Sequence, residues 1–317
     1  EWFRDHEIAT RAIDSMRAMS AASDSDGRPW SVSVGFKQPH TQYHVPRKYF
    51  NLYKNSRFLQ EMKRSDDKEW TFPSGAPRMN YRCCALSLVR YMQDEGRVFS
   101  NATTPPLYGM MTLPARARAE LVWGYLAGVS FLDAQVGRLL DALDALPNGN
   151  GKNTVIVFTA DHGMHLGEKG MWEKYTLFEE TSRVPFLISY PHHPQRWSAH
   201  YPFPVESVDI LPTTLAALGI TRNPVLCPRS RLCFEFEGVS LLPWISGVTP
   251  TNQRVPSHQG YAITQMRRCL YRKREQGRSV DIDDKWSAIC GSDNKPKGSV
   301  MGYSIRTDKF RYTAWIP

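Results

Sequence analysis

No run of about 18 apolar residues occurs in the 317-residue sequence, so no membrane-spanning helix is expected. Internal repeats and long low-complexity tracts are also absent. Nothing resembles a nucleic-acid-binding motif, and aromatic and basic residues do not interleave as such surfaces require. Cysteine is scarce, with six residues in all; this is compatible with an oxidising compartment without demanding one. Cys227 and Cys233 bracket a tight proline-containing loop, Cys269 and Cys290 a longer basic insertion, and adjacent Cys83 and Cys84 have no evident partners. Of the many pairings that six cysteines allow, Cys227–Cys233 and Cys269–Cys290 are the favoured bridges. The sequence begins at Glu1 with no signal-peptide pattern and runs at once into helical sequence, so a fragment or a processed chain is expected.

What is present is ordinary for a soluble globular protein: 41% hydrophobic and 22% charged residues, enough chain for one large domain and a smaller one. The net charge of +9 favours acidic partners. Because the basic residues are dispersed, a solvated basic surface explains the same number. Asn101-Ala102-Thr103 is an acceptable N-glycosylation sequon and fits a secretory route.

Arg4–Met19 carries apolar residues at helical spacing, and Ser23–Gly27 reads as the polar turn that closes it. Trp30, Val32, Val34 and Phe36 alternate with small residues, which predicts a strand leading into Lys37-Gln-Pro-His40. Pro46 opens a short helix. From Pro114 to Leu146, Leu121, Tyr125, Leu126, Val129, Leu132, Val136, Leu139, Leu140 and Leu143 form an apolar stripe. Pro147 stops that helix, which is expected to pack on a sheet with Asp133 and Gln135 in solvent.

Thr154–Thr159 is a short β-rich run after turn residues, a buried strand rather than a helix. Asp161, His162 and Gly163 follow at its carboxyl end, and a polar loop then reaches Lys174. In open α/β sheets ligands bind at the carboxyl ends of strands. An acid and an imidazole delivered there suit a metal, with the lysine as a cation for an anionic substrate. The competing reading is an Asp-His-Gly turn whose side chains cap the next helix. Val184–Tyr190 reads as another strand, and Val205–Leu211 leads through Pro212 into a helix ending before Gly219. Tyr261–Thr264, Tyr303–Thr307 and Phe310–Trp315 are short strands, the last two joined by a two-residue turn at Asp308-Lys309.

The string Phe158-TADHGMHLGEKGMWEK-Tyr175 resembles the second signature of the sulfatase family, in the alkaline phosphatase superfamily, and in detail its iduronate-2-sulfatase branch. Val34–His40 and Met301–Trp315 carry the same resemblance. It implies an α/β fold: an alkaline-phosphatase-like mixed sheet flanked by helices over residues 1–247, and a small antiparallel-sheet subdomain over 248–317. It implies sulfate-ester hydrolysis on a sulfated carbohydrate, and a lysosomal or secreted location. It gives Asp161 and His162 as ligands of a divalent metal, expected to be Ca2+, and a Cys227–Cys233 disulfide. His40 and Lys174 become catalytic and substrate-binding residues, His40 contacting the sulfate and protonating the departing alcohol. Lys37 and His44 are weaker candidates for substrate contact, and Asp209 matches a structural position. By spacing alone, a lone histidine after a strand is more often structural.

Sulfatases take their nucleophile, a formylglycine, from a Cys/Ser-x-Pro-x-Arg motif that follows further metal-binding aspartates. Neither feature is in this sequence. Cys227-Pro-Arg-Ser-Arg231 has its proline one place early and lies on the wrong side of the Asp161 motif. The expectation is that the nucleophile lies upstream of Glu1 and that this chain alone is inactive. A phosphoesterase of the same superfamily, or a glycan-binding remnant without catalysis, are the alternatives.

Overall fold

The computed structural model describes residues 3–63, 115–147, 151–191, 203–220, 236–246, 260–270, 273–275, 278–280 and 298–316. In chain order the helices are α1 (Arg4–Asp26), α2 (Arg47–Tyr53), α3 (Arg57–Met62) and α4 (Ala115–Asp144). Strands β1 (Ile156–Thr159), β2 (His165–Leu166) and β3 (Trp172–Glu173) follow, then α5 (Glu179–Ser182), β4 (Phe186–Ser189), α6 (Ile210–Ala217) and α7 (Leu242–Ile245). The chain ends in β5 (Tyr261–Leu270), β6 (Lys273–Glu275), β7 (Arg278–Val280), β8 (Gly298–Thr307) and β9 (Arg311–Ile316). Two units divide these elements: residues 1–152 with 164–173, and residues 153–163 with 174–317. The subdomain boundary expected near residue 247 falls in a stretch outside the described residues.

The first unit is built on α4, with α1, α2 and α3 packed along it and β2 touching it. Among the described residues of this unit the main packing partners of α4 are thus helices, where a sheet was expected. Its buried face also differs from the apolar stripe. Val129 and Leu140 are exposed, whereas Gly124, Ala127 and Gly128 are buried beside Leu121, Val122 and Phe131. Small residues win that face because they admit close neighbours: a Cβ on Gly124 would lie 2.3 Å from the Tyr43 ring. Tyr43, Leu59, Met62, Leu121, Val122 and Trp172 make one core cluster. Phe131 centres another with Val45 and Ala127, its ring 5.8 Å from Phe3 and 5.3 Å from Tyr49.

Gln135, expected in solvent, is buried. It donates to the Phe131 carbonyl and accepts from Arg138, which also reaches His6 and Thr10 of α1. The α1–α4 contact is thus partly polar, which hydrophobic periodicity does not register. Helix α1 runs past Ser23 to Asp26, because Gly27 (φ 72°) supplies the left-handed residue that ends it and bonds back to the Ser23 carbonyl. The strand expected over Trp30–Phe36 is absent. Burial alternates there, but the segment is extended chain with no ladder partner among the described residues.

In the second unit β1 and β4 pair antiparallel from Ile156–Ser189 to Thr159–Phe186. Strands β5, β8 and β9 form the C-terminal antiparallel sheet, with β5 and β8 ten residues each and longer than periodicity suggested. The two-residue turn forms as expected: Thr307 N–H donates to the Phe310 carbonyl across Asp308-Lys309. Asp209 is fully buried and holds the start of α6 by accepting from the backbone N–H groups of Glu206 and Val239. Glu206 in turn accepts from the N–H of Ile263 in β5. That is a structural role, as expected for Asp209.

Candidate functional site

Strand β1 ends at Thr159, and Asp161, His162 and Gly163 follow on open backbone. Asp161 projects into solvent, its side chain 86% exposed, and accepts the His162 N–H at 3.0 Å. The His162 ring lies half-buried with Nδ1 2.8 Å from the Gly163 carbonyl. A carbonyl oxygen only accepts, so Nδ1 carries the proton and Nε2 presents a lone pair. Lys174 Nζ sits 2.9 Å from that Nε2 and donates to it. Asp161 Oδ2 is 3.4 Å from the same nitrogen. Three predicted site residues, Asp161, His162 and Lys174, therefore converge on the His162 Nε2 atom.

Gly163 explains how this loop is held. Its N–H donates to the Thr181 carbonyl of α5 at 2.9 Å, and a Cβ at this position would stand 2.1 Å from the Glu180 carbonyl oxygen. Only a residue without a side chain lets the backbone after His162 lie so close to α5.

On the far side of the loop, Lys174 lies between Glu173 (φ 68°) and Tyr175 (φ 70°). The turn beyond it is closed by Thr176 and Thr181, whose hydroxyls meet at 2.8 Å while Thr181 also donates to the Thr176 carbonyl. Arginines of the C-terminal sheet secure the segment. Arg268 donates to the Tyr175 carbonyl at 2.6 Å, and Arg311 donates to the Leu177 carbonyl and to Glu179. Arg306 joins Arg311 on Glu179. Partial burial pushes the Glu179 carboxyl up, but hydrogen bonds from Arg311 and Arg306 and their charges outweigh it and hold it below the ordinary carboxylate value.

Sequence reasoning missed Arg268, Arg311 and Glu179. Arg268 did leave a trace, because it falls on the same side of an alternating strand as Ala262, Thr264 and Met266, an inward place for a charge.

His40 belongs to the first unit. Its N–H donates to the Lys37 carbonyl, closing a turn, and its Nδ1 donates to the Thr41 carbonyl, which leaves Nε2 as the other ring nitrogen for a partner. Asp5 of α1 holds this turn: it is buried, and its carboxylate accepts from the N–H groups of Lys37 and Gln38 at 3.0 and 2.8 Å. Gly128 of α4 lies beneath it, where a Cβ would be 3.3 Å from Pro39. His44 is exposed. Cys227, Cys233, Cys83, Cys84, Cys290 and Asn101 lie outside the described residues.

The donor set answers in part to a divalent metal. His162 meets one condition common to metal-bound histidine, its Nδ1–H lying on a backbone carbonyl, while its Nε2 accepts from Lys174. Asp161 and His162 give two kinds of donor, while calcium takes six to eight oxygens. No group of three or more metal-donor side chains occurs among the described residues.

Residues 4–220 match the family described as Sulfatase. Human iduronate 2-sulfatase is 30% identical over 337 residues, which cover 98% of this chain and 56% of that protein. A choline-sulfatase of Rhizobium meliloti is 29% identical over 248 residues, covering 78% of this chain and 41% of its own length. The phosphonate monoester hydrolase of Agrobacterium radiobacter shares the fold, with a TM-score of 0.54 at 19% identity over 94% of this chain and 50% of that one. The chain spans about half the length of the curated relatives it matches. With the family match running through both the His40 turn and the Asp161–Lys174 loop, the chain belongs to the sulfatase family.

Proposed function

We propose that this protein is a sulfuric ester hydrolase acting on a sulfated carbohydrate, with an iduronate 2-sulfate unit of a glycosaminoglycan as the specific substrate. The observation that carries the reading is the contact between Lys174 Nζ and His162 Nε2, in a loop anchored at Gly163. That contact sets a cation beside the imidazole which, with Asp161, the family resemblance gives to a metal. The iduronate assignment is supported by identity to the human enzyme along nearly the whole chain.

Cleaving a sulfate ester requires neutralising charge on the sulfate oxygens and protonating the departing oxygen. Lys174 serves the first need, its ammonium turning from His162 to a sulfate or leaving oxygen. His40 serves the second as hydrogen-bond donor and general acid through Nε2, its Nδ1 being committed to the Thr41 carbonyl. Asp161 and His162 would hold the divalent metal, Ca2+ in this reading, with further oxygen donors from elsewhere in the protein. When bound, the metal supplies positive charge to the sulfate oxygens. Nucleophilic attack falls to a formylglycine outside the 317 residues, so this chain by itself is read as inactive. A lysosomal or secreted location accompanies the glycosaminoglycan substrate.

The test is hydrolysis by the full-length protein of a disaccharide bearing iduronate 2-sulfate, beside a simple aryl sulfate and a phosphonate monoester. Sulfate release from the sugar is expected, with Lys174→Ala lowering turnover by about 100-fold and leaving the unfolding midpoint unchanged. Turnover of the phosphonate monoester alone points to a phosphoesterase. Tight sulfated-glycan binding without turnover of any ester leaves a binding protein.

A further inference from the structure

Lys174 reaches His162 from a loop whose backbone is under strain. Glu173 and Tyr175, one on each side, both hold positive φ angles that side chains other than glycine rarely adopt. Such conformations persist where the surroundings determine them. For Tyr175 the surroundings include Arg268, a fully buried residue of β5 that donates to the Tyr175 carbonyl at 2.6 Å. The guanidinium also lies over the Trp315 ring of β9, 5.8 Å from its centre. A hydrogen bond from a charged donor shielded from water is among the stronger ones available to a protein.

We propose that Arg268 is a positioning residue for Lys174: by fixing the Tyr175 carbonyl, it sets the direction in which the neighbouring lysine projects its ammonium. The proposal rests on the sulfate-ester reading, in which Lys174 meets the substrate. The carbonyl belongs to the residue directly after Lys174, so rotation of the 175–176 peptide is transmitted to the lysine Cα through a single residue. Arg311 makes a similar bond two residues later, at the Leu177 carbonyl, and the Thr176–Thr181 pair closes the turn between. Of these two hydrogen bonds from the sheet, that of Arg268 falls nearer to Lys174 along the chain. Stability alone is a weak reason for a buried guanidinium, since apolar replacements of buried charges are often neutral. A directional bond to one carbonyl accounts for what an apolar side chain cannot do.

Two readouts test this. In the first, this chain is acylated briefly with an amine reagent and each lysine is read by mass spectrometry. Arg268→Met is expected to raise the rate at Lys174 by about threefold or more, as the freed amine leaves His162, with exposed Lys54 and Lys309 unchanged. Arg268→Lys, which keeps a donor, restores most of the wild-type rate. A Lys174 rate that stays or falls, or a rise at all three lysines together, overturns the proposal.

The second readout uses sulfate-ester kinetics of the full-length protein. Arg268→Met should lower kcat by about tenfold with KM little changed, and should cost nothing further once Lys174→Ala is present. An equal loss in both backgrounds assigns Arg268 a purely structural part and overturns the proposal. If Lys174→Ala alone leaves turnover intact, the functional reading of the lysine fails, while the acylation pattern still decides what Arg268 does.

Discussion

Replacing Gly163 by alanine tests whether the loop after His162 is held by close backbone contact. The added Cβ would lie 2.1 Å from the Glu180 carbonyl oxygen and 3.2 Å from that of Arg183. Ordinary carbon–oxygen contacts begin at about 3.3 Å, so the two segments must part by roughly 1 Å. Neither clashing atom is the end of a flexible side chain, so rotamer change gives no relief. The separation also stretches the 2.9 Å bond from Gly163 N–H to the Thr181 carbonyl. Overpacking of this kind costs about 1–3 kcal/mol, and the weakened hydrogen bond adds about 1 kcal/mol. A destabilisation of roughly 2–4 kcal/mol is therefore expected in urea unfolding followed by circular dichroism. Gly137 of α4 is the control, since a Cβ there meets nothing within 4 Å. Gly137→Ala should stabilise by about 0.5–1 kcal/mol, because glycine in a helix interior is entropically poor. Two variants with the same small effect would refute the reasoning, for the steric argument would then be empty.

Asp5→Ala removes the acceptor for two backbone N–H groups beneath the His40 turn; a loss of about 2–4 kcal/mol and faster proteolytic cutting near residues 37–44 are expected. Unchanged cutting would mean that the turn stands without α1. Gln135→Leu should destabilise by about 1–2 kcal/mol despite its greater hydrophobicity, as the Arg138 bridge to α1 loses a partner; a gain in the urea midpoint would contradict the polar account of that contact. For Glu179 the sign follows from a folded carboxyl held below its ordinary value of 4.5: its stabilisation is complete above that pH and fades as pH falls through the lower folded value. The gap in unfolding midpoint between wild type and Glu179→Gln should accordingly close on acidification, and a gap independent of pH would dismiss the ion-pair explanation.

Much of the site was legible because it is local. Asp161, His162 and Lys174 lie close together in the chain after β1, with the short β2 and β3 between them. The β-rich run before them contains β1, although Phe158 and Thr159 are exposed where a buried strand was expected. What holds these segments in place was not legible. Arg268 acts on a carbonyl 93 positions away, and Asp5 on N–H groups 32 and 33 positions away. Backbone acceptors and donors have no sequence identity to read. The helix over Ala115–Asp144 was visible from its stripe and flanking prolines, but its packed face was not. Hydrophobicity reports which residues avoid water, whereas the approach of Tyr43 to α4 depends on the smallness of Gly124. At Trp30–Phe36 alternation did report sidedness, since burial alternates there, yet a ladder needs a neighbouring strand and alternation cannot summon one.

The close approach at α4 limits how this protein can be diversified. Gly124, Ala127 and Gly128 face neighbours that leave almost no volume for growth, so random libraries over that helix will lose most members there whatever the polarity of the new side chain. Val129 and Leu140, on exposed positions of the same helix, accept polar replacements freely. Variation should therefore be confined to positions such as these two, with the Gly124–Gly128 segment left as it is.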